Sequence, residues 1–152
     1  MNSFFKAVSL VALFSASALA QGNFNISAAR MSERTTANVS YNFSQISARR
    51  EDIAVGVNFS IGIGAALWDG GHQNEGRLHA DARITLNRVY FSTGPFATSG
   101  NKGGVALGIR TALGYQSIYR FFVGGYWEAA AGLPGTSRSS KGGLGIQAGF
   151  RL

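Results

Sequence analysis

His79 and Asp81 stand two residues apart with Arg83 two further on, a spacing that puts all three on one face of a β-strand. A carboxylate beside an imidazole fixes its tautomer and prepares it to take a proton from a serine, and Ser60 or Ser92 could approach from neighbouring strands. A second group, Asp69, His72 and Glu75, has metal-ligand donor types, but it lies in a glycine-rich polar stretch of the kind that is commonly only solvated. Arg110, Arg120, Glu128 and Arg151 are the other charges set within apolar or small-residue runs. Burying a charge without a partner is costly. His79, Asp81, Arg83, Arg110, Arg120, Glu128 and Arg151 are therefore expected to form one interior ion-pair cluster, with Glu128 meeting Arg110, Arg120 or Arg151. A structural plug of charge is the expected role, ahead of a gated or proton-linked pore and ahead of catalysis. No cofactor or metal is expected.

The elements that place these groups are strands. Ile53, Val55, Val57, Phe59, Ile61 and Ile63 share one parity, and Ala54, Gly56, Asn58, Ser60 and Gly62 share the other. A period of two over about eleven residues is long enough for a tilted strand to cross a bilayer. Small residues on the second face, where a soluble protein shows long hydrated side chains, fit a narrow crowded interior. The alternation recurs at Phe24–Ala28, Ala37–Phe43, Leu78–Leu86, Val105–Tyr115, Tyr119–Trp127 and Leu144–Leu152. Arg88–Phe96 makes an eighth strand of ambiguous parity, expected to bulge or end near Pro95, which cannot donate to a ladder. The expected fold is all-β: an eight-stranded up-and-down antiparallel transmembrane β-barrel. Val57, Phe59, Leu107, Ile109 and Ile146 should face lipid, and Asn58, Gly108, Arg110 and Gln147 the lumen.

The front of the chain has the make-up of a cleavable export signal. Met1–Lys6 carry one positive charge, Ala7–Phe14 are largely apolar, and Ala18-Leu19-Ala20 is the small-x-small pattern before a cut at Gln21. The expected organisation is a signal over 1–20 and one barrel domain over 21–152. Without cysteine, neither a lipoprotein anchor nor a disulfide framework can form. Only 14% of residues are charged, against about a quarter in soluble domains, so some surface must be apolar. The net charge of +7 is spread without a basic run, which argues against nucleic acid as a partner. The Asn-x-Ser triplets at Asn25, Asn38, Asn42 and Asn58 fall out of strand alternation and carry no glycosylation reading.

Between strands, 67–75, 97–103 and 131–141 read as long polar loops, and 87–88 and 116–117 as tight turns, with 31–33 short and 45–52 a longer connection. Long loops outside and short turns in the periplasm are the asymmetry of outer-membrane barrels. Tyr115 and Tyr119 flank one tight turn, with Trp68 and Trp127 toward the opposite rim, as interfacial aromatic belts would.

In its signal ending, its strand series and its end Leu144-Gly-Ile-Gln-Ala-Gly-Phe150-Arg-Leu152, the chain resembles the small eight-stranded outer-membrane barrels of the OmpA, OmpX and opacity-protein type. The stretch from Gly124-Gly-Tyr-Trp-Glu128 to Gly132-Leu-Pro-Gly135 is also similar to YfaZ-type outer-membrane proteins. That class usually ends in an aromatic residue, where this chain has Leu152. The resemblance implies residence in the outer membrane, lipid and lipopolysaccharide as surroundings, and recognition of the last strand by the barrel-assembly machinery. It implies a structural or surface role: envelope integrity, adhesion or lipopolysaccharide contact. Lys102, Arg138 and Lys141 would then form a basic rim engaging lipid phosphates. Lipid A deacylases and palmitoyl transferases also use small barrels, but Arg138-Ser-Ser-Lys141 lacks the histidine of the deacylase run. A lipid-modifying enzyme is thus the runner-up, and a soluble lipocalin-like carrier, with its apolar face inward, the third reading.

Overall fold

A computed structural model describes residues 24–32, 34–68, 74–100, 104–132 and 143–152. Eight strands follow in chain order: β1 (Phe24–Met31), β2 (Arg34–Arg50), β3 (Ile53–Trp68), β4 (Asn74–Leu86), β5 (Val89–Gly100), β6 (Val105–Gln116), β7 (Phe121–Gly132) and β8 (Gly143–Arg151). Each pairs antiparallel with the next, and β8 closes on β1. Closure leaves no free edge around the ring, which is how a sheet with an apolar outer face escapes edge-to-edge association.

Both ends of the described chain lie at the same end of the barrel as the turns 51–52, 87–88 and 117–120. This is the terminal end, and the opposite one is the loop end. The terminal-end turns are held by residues in the left-handed region: Glu51 (φ 53°), Asn87 (φ 55°) and Arg120 (φ 66°). Asparagine tolerates that conformation best, and Asn87 also accepts the Ala54 N–H through its side chain at 2.8 Å, tying this turn to β3.

Three details depart from the expectations. The segment 45–52 is no loop: β2 runs on to Arg50 and returns through a two-residue turn into β3. A β-bulge between Asn42 and Ser44 flips the parity, so the outward series Val39, Tyr41, Phe43 continues as Ile46 and Ala48. Pro95 does not end β5. Pairing with β4 is interrupted opposite Ala80 and Asp81 and resumes in the same register, while β5 stays paired to β6 through Pro95–Ile109. Arg120, expected inside, occupies the exposed turn before β7. Its backbone carbonyl accepts from Arg151 N–H at 2.8 Å, because the chain turns over four residues before strand alternation resumes at Phe121.

The faces sort sharply. Ile61, Ile63, Leu78, Ile84, Leu107, Ile109, Leu113 and Ile146 are all exposed outward, whereas Asn38, Arg77, His79, Arg110, Glu128 and Gln147 are buried inward. The parity of β5, ambiguous in the sequence, is plain here: Val89 and Phe91 point out, Tyr90 and Ser92 in.

Inside, five rings sit across the ladder from a glycine. Tyr90 faces Gly114, Phe96 faces Gly108, Phe122 faces Gly149, Tyr126 faces Gly145, and the His79 imidazole faces Gly62. A Cβ at Gly108 would lie 2.5 Å from Phe96 Cζ, and one at Gly149 the same distance from Phe122 Cζ. The small residues of the inward parity are therefore the seats of the aromatic side chains that fill the lumen.

Candidate functional site: the polar lumen

Glu128 is the hub of the loop-end half. β7 places it opposite Arg110 on β6, and it is 3% exposed. Arg77 reaches it from β4 with two hydrogen bonds, 2.8 Å to Oε1 and 3.3 Å to Oε2. Arg34 on β2 donates to Oε2, and Arg110 Nε lies 3.9 Å from Oε1. Three guanidiniums thus converge on one carboxylate. Bidentate Arg–carboxylate geometry is the strong form of such a pair, and the enclosure leaves little water to screen it.

Ring faces add a second set of contacts to these guanidiniums. Arg77 stacks on Phe96 at 4.4 Å, Arg110 on Tyr126 at 4.4 Å, and Arg83 on both Tyr90 and Phe122 at 4.5 and 4.8 Å. Aromatic faces attract cations, more strongly when both are desolvated. Arg110 also donates to Gln147 Oε1, and Gln147 Nε2 donates to Tyr90 Oη at 2.9 Å. One connected network therefore spans β2, β4, β5, β6, β7 and β8.

Of the expected cluster, Arg110 and Glu128 meet directly, and Arg83 joins through the rings that it shares with the network. His79 Nε2 lies 3.6 Å from Asp81 Oδ2, on the side of the lumen toward Ser60, which is directly opposite Asp81 in the β3–β4 ladder. Arg151 stands apart at the terminal end and donates to Gln45 Oε1. Two members were missed. Arg77 shares the parity of His79 and was readable as inward. Arg34 precedes the clear alternation of β2, and only the strand's extension to the turn shows it facing in. Glu75, assigned to a loop with Asp69 and His72, lies buried on β4. Asp69, His72, Lys102, Arg138, Lys141 and the cleavage residues Ala18, Ala20 and Gln21 lie outside the described residues.

Two cavities lie on the terminal-end side of the Glu128 hub. A central one of about 30 Å³, lined by His79, Asp81, Ser60, Ser92, Arg110 and others, has room for a little water and none for an acyl chain. A larger one, about 470 Å³, opens at the terminal end. Eight-stranded barrels are about wide enough for their own side chains, and here Asn25, Asn58 and Arg83 line both cavities.

No family model matches the chain, and no curated protein matches its sequence significantly. Two solved structures are similar. The outer membrane enzyme PagL superposes with a TM-score of 0.67 at 10% identity, over 84% of this chain and 99% of that one. The outer membrane protein Ail of Yersinia pestis gives a TM-score of 0.48 at 14% identity, over 87% and 100%. At these identities the likeness to PagL is one of fold, and the chain is a small closed eight-stranded barrel of the kind found among outer-membrane proteins.

Proposed function

We propose that this protein is an outer-membrane β-barrel that acts as a rigid, non-conducting scaffold for its exposed loops, with a structural or surface-interaction role. The observation that carries this reading is the outward face. Among the described residues, twenty-three large apolar or aromatic side chains of the strands are exposed on it, among them Leu78 at 60%, Leu113 at 60% and Ile146 at 69%. A soluble protein seldom tolerates more than a few hundred Å² of contiguous apolar surface, whereas a bilayer requires it. A lipocalin-like carrier is disfavoured because the charged network occupies the place its apolar cavity would need.

The terminal end then faces the periplasm and the loop end the outside. Lys102, Arg138 and Lys141 belong to loop-end connections and remain the proposed contacts to lipopolysaccharide phosphates. The last strand remains the proposed signal to the assembly machinery. The enzyme reading draws on Ser60, His79 and Asp81 lining one cavity. That cavity is inside the wall, and the His79 side chain is only 7% exposed, so a lipid of the outer leaflet would have no route to it. This seclusion favours packing over catalysis.

The test is the location and gel mobility of the full-length protein. The expected result is a band in the outer-membrane fraction that migrates faster unboiled than boiled. A soluble periplasmic band with one mobility would overturn the proposal.

A further inference from the structure

Asp81, in the central cavity, and Glu128, the hub of the loop-end half, lie above the terminal-end cavity. It is lined by Arg49 from β2, Arg83 from β4 and Arg151 from β8, together with the amides of Gln45, Asn58 and Gln116. No carboxylate is among its lining residues. Asp81, two residues before Arg83, lines the central cavity with it but not this one. Glu51 and Asp52, which follow Arg49 and Arg50 in sequence, are exposed at the tip of the β2–β3 turn and do not line it either. Arg83 is held against Tyr90 and Phe122, and Arg151 is braced by Gln45, so two of the three guanidiniums are fixed in place. The cavity's 470 Å³ falls within the ~300–1,000 Å³ typical of ligand sites.

We propose that this terminal-end mouth binds a soluble, multiply charged oxyanion of the phosphate class. Guanidinium is the side chain best matched to phosphate, giving paired N–H donors in one plane, and several fixed guanidiniums recognise more than one charge. Neighbouring amides supply further donors to the remaining oxygens. β2, β3, β4 and β8 all contribute to the lining of this mouth at the terminal end, and its guanidinium and amide groups belong to the inward parity of their strands. The ligand assigned to it is therefore one that arrives from solution rather than from the surrounding lipid. The site is independent of whatever the loop end contacts.

The test uses the refolded full-length barrel in a phosphate-free maltoside, with folding of every variant checked by heat-modifiable mobility. Inorganic pyrophosphate is titrated while the side-chain Nε–H signals of the arginines are followed by NMR, with chloride at equal ionic strength as control. The expected result is a saturable shift of the Arg83 and Arg151 signals with pyrophosphate and not with chloride. Arg83→Gln and Arg151→Gln should each weaken the apparent affinity about tenfold, near 1.4 kcal/mol. Arg88→Gln, outside the cavity on the 87–88 turn, should leave it unchanged. A parallel sample in phosphatidylglycerol nanodiscs separates the two sources of phosphate. Shifts already present there before any pyrophosphate is added would show the mouth occupied by lipid headgroups and overturn the proposal. So would the lack of a saturable shift in the maltoside, or an equal loss of affinity in Arg88→Gln.

Discussion

The two halves of the lumen solve the same problem differently. In the loop-end half, charge is enclosed and must be neutralised on the spot, and Glu128 with Arg34, Arg77 and Arg110 does this through direct hydrogen bonds and ring faces. In the terminal-end half, Arg49 and Arg151 stand beside an open mouth where water screens them, and no acid is provided. The contrast teaches where structural charge ends and available charge begins. A guanidinium locked on a carboxylate has no capacity left, whereas one facing an acid-free cavity keeps its own.

The largest expected effect falls on the enclosed half. Glu128→Gln removes the charge on which Arg34, Arg77 and Arg110 converge and should lower barrel stability by about 3–5 kcal/mol, read as a lower urea midpoint in detergent. Arg151→Gln, in the open half, should cost less than about 1 kcal/mol by the same measurement. Equal losses would abolish the distinction between the halves.

A charge placed outside the wall sharpens it from the other side. Ile109→Lys puts an ammonium on the outward face midway along β6 and should cost about 2–4 kcal/mol in lipid, by folding titration into vesicles. No penalty there would mean that the outward face is wet.

The glycine seats give the smallest and most local contrast. Gly108→Ala drives a methyl onto Phe96 in the filled region and should cost about 1–3 kcal/mol of stability. At Gly56, beside the open mouth, an added Cβ meets nothing nearer than Thr85 Cβ at 3.9 Å. Gly56→Ala should therefore be neutral or stabilising by up to about 1 kcal/mol, in the same urea titration.

Much of this was legible in the sequence because two-residue periodicity reports which face is which. The run Ile53–Ile63 carried strand, face and span together, and the recurring pattern carried seven of the eight strands, the eighth around 88–96 resting on the even strand number of such barrels. What escaped depended on events that break the period. The bulge at Phe43 shifted Ile46 and Ala48 onto the other parity, making a continuous strand look like a connection. The turn at 117–120 took Arg120 out of the alternation to which its number alone assigned it. Partnering was least legible of all. Arg77 and Glu128 are 51 residues apart, as Tyr90 and Gln147 are 57, and only the closure and stagger of the barrel bring them together.

The central claim is that one parity of each strand meets lipid and the other a filled lumen. Single cysteines at the adjacent positions Ile61 and Ser60 test it most directly, since Ile61 is 53% exposed and Ser60 only 9%. Each variant is folded into vesicles and labelled with a lipid-soluble and a water-soluble maleimide before denaturation. The account predicts fast labelling of Ile61→Cys by the lipid-soluble reagent alone, and protection of Ser60→Cys from both. Equal labelling at the two positions, or fast reaction of Ile61→Cys with the water-soluble reagent, would contradict it.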